Sequence, residues 1–163
     1  MSLDERYASI HKWIKTRPVE ESGPLLKAKD HIVATFDAKK AIQVGSKLPP
    51  FTLSNTTGEQ VTSTDLLTKA KGVTFVAISP ELPDVLLSTK EKYEFKFIVL
   101  SDLGNKFAYK LGIVRGMGMI LFAVSIPATI LVDKEGVVRN VYVDPDYFKR
   151  LEPEVTLGWS DAL

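Results

Sequence analysis

Few residues of this chain could do covalent chemistry, and the most reactive type is missing. None of the 163 residues is cysteine. The thiolate is the side chain that joins strong nucleophilicity near neutral pH to reversible oxidation. Thiol–disulfide exchange is therefore closed to this protein's own side chains. His11 and His31 fall on separate predicted helices, with no second ligand at helical or strand spacing, which argues against a metal centre. No Gly-x-Ser-x-Gly elbow or Gly-Lys-Ser/Thr loop occurs. Gly112 and Gly116-x-Gly118 precede an apolar run instead of opening a helix after a strand, so they are not read as a phosphate loop. What remains is Ser79-Pro80-Glu81, a hydroxyl and a carboxylate at the predicted end of a strand, where open α/β sheets bind ligands. The plainer alternative is that Ser79 and Pro80 cap the helix that follows. Arg139 could orient an anion, but a strand residue just after a turn is expected to face solvent.

The elements that must position these residues belong to a chain long enough for one domain with a real core. A hydrophobic fraction of 45% and a charged fraction of 25% are those of a soluble globular protein. With a net charge of +1 and basic residues scattered among acidic ones, neither nucleic acid nor an anionic membrane is an expected partner. The polar, mixed-charge start is not read as a signal peptide, and the cytoplasm is the expected location. The longest uncharged run, Gly116 to Val132, contains Ser125 and Pro127 and falls short of a membrane span, so it is expected to be buried core.

The first third reads as a helical arm over residues 1–43. Ser2-Leu3-Asp4-Glu5 has the form of a capping box. Leu3, Tyr7, Ile10, Trp13 and Ile14 follow on one face until Pro18. A second helix is predicted from Pro24, carrying Leu25, Ile32, Phe36 and Ile42 and closing at Gly45. Such a pair either packs over the following domain or serves as a docking arm; amphipathic helices usually face a core.

Residues 44–163 alternate strand and helix. Asn55-Thr56-Thr57-Gly58 marks a hairpin, and a helix from Thr64 to Lys71 follows with Ser63 as its cap. Val73 to Ile78 reads as a strand buried on both faces, Val85 to Tyr93 as helix and Phe95 to Leu100 as strand. Asn105 to Leu111 is a predicted helix ended by Gly112. Thr129 to Val132 and Val137 to Val143 are strands joined by the turn Asp133-Lys134-Glu135-Gly136. This pattern predicts a mixed α/β fold, a mainly parallel sheet covered by helices with an antiparallel pair at its end.

Several phrases in this stretch resemble, in order, the peroxiredoxin-like proteins of the alkyl hydroperoxide reductase and thiol-specific antioxidant family. They are Val44-Gly45-Ser46-Lys47-Leu48-Pro49-Pro50-Phe51-Thr52-Leu53, then Val76 to Glu81, Phe97 to Asp102, Ile126-Pro127-Ala128-Thr129 and Asp133 to Arg139. Val143-Asp144-Pro145-Asp146-Tyr147 with Arg150-Leu151-Glu152-Pro153 is similar to the tail of one family branch. The resemblance implies a thioredoxin-like fold and places Ser79, Pro80, Glu81, Pro127 and Thr129 on the family's functional face. In the family, the proline matched by Pro127 normally follows a cis bond opposite the catalytic thiol; here an architectural role is expected.

The family's peroxidatic cysteine sits after a central strand, in a loop and helix. Here the predicted helix ending near Lys71 runs straight into the strand beginning at Val73, so on the order of 25 residues, a strand and a helix with their loops, are missing. Loss of a central strand leaves two edges unpaired. Three outcomes are open: the Val73–Ile78 strand slides into the slot, which is the expectation preferred here; a second chain supplies the pairing; or the product is poorly stable. The resemblance thus implies a domain with no catalytic residue of its own and no cofactor, acting by binding or assembly. The alternative is a redox role exercised with a cysteine-bearing partner. Self-association and a full-length peroxiredoxin-like paralogue are the expected partners.

Overall fold

A computed structural model describes residues 2–69, 72–117 and 120–161, with side chains undescribed at 116–117 and 120–123. Helix α1 (Leu3–Lys15) begins as the sequence predicts. Ser2 Oγ accepts the Glu5 N–H at 3.1 Å, and a Glu5 carboxylate oxygen accepts the Ser2 N–H at 2.9 Å. Glu152, from the other end of the chain, accepts the next two free amides, Leu3 and Asp4, both at 3.1 Å. Helix α2 (Val19–Thr35) starts at Pro18, ahead of the predicted Pro24, which lies in its second turn. Glu20 and Glu21 favour this earlier start beside the positive helix end. The helix stops at Thr35 instead of Gly45; a 3-10 turn at Ala38–Lys40 intervenes, and Asp37 accepts the Lys39 N–H.

The hairpin of β1 (Thr52–Asn55) and β2 (Gln60–Thr62) forms as expected, with Gly58 at φ +87° in its turn. Helix α3 (Ser63–Lys69) is capped by Thr62, whose Oγ1 accepts the Asp65 N–H at 3.0 Å; the predicted cap, Ser63, instead accepts the Phe51 N–H. Lys71 lies outside the described residues. Strand β3 (Val76–Ser79) is shorter than predicted, and Val73 and Phe75 are exposed. Helix α4 (Pro83–Lys92) follows, with proline in its first turn and Leu82, not Ser79 or Pro80, at the cap position.

Strand β4 (Ile98–Ser101) pairs parallel with β3 and antiparallel with β1, giving the sheet order β2-β1-β4-β3. After helix α5 (Lys106–Lys110) come two antiparallel pairs. One is β5 (Val114–Met117) with β6 (Ile120–Ser125), overlapping the run from Gly116 expected to be buried core; the other is β7 (Ala128–Val132) with β8 (Val138–Val143). The second turns where the sequence places it. Asp133 accepts the Val137 N–H and pairs with Arg139, which together hold its carboxyl below the usual range. A final helix, α6 (Pro153–Ser160), had no counterpart in the sequence reading.

The expectation that β3 moves into the vacated central slot is not met. Its residues remain paired with β4 from Val76↔Ile98 to Ser79↔Ser101, and among the described residues no ladder joins it to β7. Parallel pairing with β4 holds β3 in the register that buries Val76 against the core, whereas moving would forfeit those bonds.

The core gathers Ile32 of α2, Leu53 of β1, Leu100 of β4, Phe107 of α5 and Val138 of β8. Leu100 and Val138 have no exposed surface. Asp102, 3% exposed, closes the top of β4. Its carboxylate accepts the Phe107 N–H at 2.9 and 3.1 Å and the Ala108 N–H at 2.9 Å, which satisfies the free amides of α5. Gly112, at φ +69°, passes so close to the Lys40 carbonyl that a Cβ there would lie 2.0 Å from the oxygen.

Three substitutions test these supports by thermal and urea unfolding. Gly112→Ala meets backbone on one side and left-handed strain on the other, and should cost more than about 2 kcal/mol. Asp102→Asn leaves one oxygen where two accept amides and puts an amide donor among them; a loss of about 1–3 kcal/mol is expected. Glu94 occupies the left-handed position after α4 at φ +52°, with the Phe95 N–H bonded back to the Lys90 carbonyl. Glu94→Gly should stabilise by about 1 kcal/mol, since glycine takes this conformation without strain.

Candidate functional site

Ser79, Pro80 and Glu81 lie at the C-terminal end of β3 and in the loop to α4. The Asp102 N–H donates to the Ser79 carbonyl at 2.8 Å, and the Ser101 hydroxyl donates to the Glu81 carbonyl. The loop is therefore clamped by its backbone to the end of β4, with the Glu81 side chain exposed. Pro127 and Thr129 lie at the start of β7, where the Ile126 N–H donates to the Ile113 carbonyl at 2.7 Å and Thr129 pairs in register with Tyr142. Among the described residues there is no cis peptide bond, so the Ile126–Pro127 bond is trans, unlike the family arrangement. Among the described residues no hydrogen bond or ion pair joins the Ser79–Glu81 loop to the Pro127–Thr129 segment.

Other candidates resolve into structure. His11 stacks on Phe148 with centroids 4.4 Å apart, and among the described residues no group of three side chains could hold a metal ion. Arg139 is exposed and engaged by Asp133 at 2.6 Å. Gly118 lies outside the described residues. The Tyr147 hydroxyl has its pKa raised by burial and donates to the Leu25 carbonyl at 3.2 Å, a tether between the tail and α2. No helix among the described residues is long and apolar enough to cross a membrane.

The outer side of β3 is the distinctive surface. Because the Ser79 carbonyl points to β4, strand alternation turns the backbone groups of Ala77 the same way and those of Val76 and Ile78 outward. Among the described residues these outward groups meet no neighbouring strand. Ile78 is 38% exposed and Phe75 57%. A row of rings flanks the base of the strand: Phe75 meets Phe97 edge-on at 4.8 Å, Phe97 stacks on Phe95 at 4.8 Å, and Phe95 on Tyr93 at 5.8 Å. The sequence carries this signal in the alternation Tyr93-x-Phe95-x-Phe97, which the sequence reading divided between a helix ending at Tyr93 and a strand from Phe95 without giving it a role. Such a surface can pair backbone and bury apolar area; it has no groups for covalent catalysis.

The AhpC/TSA family model matches residues 67–141. No curated protein sequence matches the chain. Among solved structures, peroxidoxin BcpB from Mycobacterium tuberculosis is similar with a TM-score of 0.62 at 17% identity, over 75% of this chain and 98% of that one. Thiol peroxidase from Chromobacterium violaceum gives 0.63 at 15%, over 75% and 88%. Reduced Prx3 from Vibrio vulnificus gives 0.62 at 21%, over 74% and 99%. The chain thus has the thioredoxin-like fold of these structures, matches the AhpC/TSA family model over residues 67–141 and carries no cysteine.

Proposed function

We propose that this chain is a peroxiredoxin-like domain that does not reduce peroxides and acts by binding or assembly. The observation that carries the reading is the route from α3 to β3. The chain passes from Lys69 to Val76 where the family has its thiol-bearing strand and helix, and no cysteine occurs elsewhere to replace the lost one. Peroxide reduction needs a thiolate to attack the peroxide oxygen and then be regenerated, and no other side chain substitutes for that cycle. The unpaired outer side of β3 supports the binding half of the reading, since unpaired strand edges are templates for a further strand. The face carrying Ser79, Pro80, Glu81, Pro127 and Thr129 is the proposed binding region, on a domain of residues 44–163 behind a helical arm of residues 1–43, working in the cytoplasm.

The test is hydroperoxide consumption by the purified chain with thioredoxin or glutathione recycling. The rate should equal that of buffer, and turnover above background overturns the proposal. A rise seen only when a cysteine-bearing, full-length relative is added, beyond that relative's own rate, would assign the chain a redox role through that partner.

A further inference from the structure

We infer that the outer edge of β3 pairs antiparallel with the same edge of a second copy, making a twofold dimer with one continuous sheet across it. The inference rests on the binding-or-assembly reading and names its partner and surface.

Three observations lead there. First, the Val76 and Ile78 backbone groups point outward and no strand among the described residues meets them. Strand edges that must stay single are normally blunted by charge, proline or a bulge. From Gly72 to Ser79 this edge has no charged residue and no proline, and its pairing with β4 runs without a register shift.

Second, the surface beside the edge is apolar. Phe75, Ile78, Leu82, Val85 and Tyr93 are all substantially exposed. An isologous contact buries this patch twice, once from each copy.

Third, charge along the edge selects a second copy in antiparallel alignment. Exposed Glu81 and Asp84 lie beyond the C-terminal end of β3. At its N-terminal end, Lys90, Lys92 and Lys96 outnumber Glu91 and Glu94, because α4 runs back along the strand and Lys96 precedes β4 in parallel register. A twofold axis through β3 sets the acidic end of each copy against the more basic end of the other. Parallel stacking would oppose like with like.

The experiment uses the full chain. Light scattering across a wide concentration range should show mass rising from 18.1 kDa to twice that value and stopping there. Amide hydrogen exchange at Val76 and Ile78 should slow as concentration rises, while the inward-bonded Ala77 amide stays unchanged. Ile78→Pro removes an outward donor without touching the ladder to β4, and Ile78→Lys places like charges across the axis. Each should weaken the dimer by about tenfold or more while far-UV circular dichroism stays that of the parent. A monomer at every concentration, exchange at Val76 and Ile78 that ignores concentration, or a dimer indifferent to both folded variants overturns the proposal. So does mass that grows without limit, which would mean β3 of one copy pairing with β7 of the next. If either variant unfolds, exchange in the unmodified chain decides. A monomer inert toward peroxide defeats this interface alone, whereas peroxide turnover defeats the underlying reading whatever the mass.

Discussion

The structure depends on the two-sided pairing of β4. Its backbone is bonded to β1 on one side and β3 on the other, and Leu100 at its centre is wholly buried. Its end extends the same constraint. Ser101 and Asp102 hold the Ser79–Glu81 loop through two carbonyls, and the Asp102 carboxylate then supplies the acceptors that start α5. The buried Asp102 side chain keeps its hydrogen bonding because two backbone amides, those of Phe107 and Ala108, replace water at its oxygens. From this hub the chain reaches β1, β3, α5 and, through the Ser125–Asn105 bond, β6.

That hub also explains why loss of a central segment leaves an open edge instead of a rebuilt sheet. To occupy the slot, β3 would have to break four registered pairs with β4 and release the loop that Ser101 and Asp102 hold. The separate β7–β8 pair is anchored elsewhere. The segment around Lys47 bridges to Val137, and the Val138 N–H donates to the Ser46 carbonyl at 2.9 Å. Each side of the gap is thus fixed by contacts that do not involve the gap. Removing a strand removes pairing energy at two edges while leaving their supports intact.

Where local chemistry decides, the sequence was legible. The Ser2–Glu5 capping box, the Gly58 turn and the Asp133–Gly136 turn each depend on residues within a few positions of one another, and each formed as read. The ordered phrases from Val44 to Arg139 pointed to the thioredoxin-like fold that the solved structures share. Where distant residues decide, the reading failed. One miss was local: the start of α2 is set by Pro18 and the first-turn acids instead of the more conspicuous Pro24. Thr62 took the cap of α3 because the Ser63 hydroxyl is used by the distant Phe51 amide. The β5–β6 pair was hidden because a run of apolar residues reads alike in a buried strand and in undifferentiated core. The sequence reading expected two unpaired edges but preferred β3 as the strand that fills the slot, and β3 stays with β4 instead, since strand order is not a property of any local pattern.

Helices α1 and α2, together the arm, have their described contacts elsewhere than the gap. Helix α1 is seated on the tail: Glu152 caps it, the Arg150 guanidinium lies 4.9 Å from the Tyr7 ring, and Phe148 stacks on His11. Helix α2 commits Ile32 to the core, and its backbone is tethered by the Tyr147 hydroxyl. These bonds join the first and last parts of the chain, so moving the arm to the β3 edge would expose Phe148 and uncap α1 together. None of the arm's described hydrogen bonds, ion pairs or ring contacts reaches residues 76–79. Cover for that edge therefore has to come from outside the arm, and the uncharged run from Gly72 to Ser79 presents nothing that would repel it.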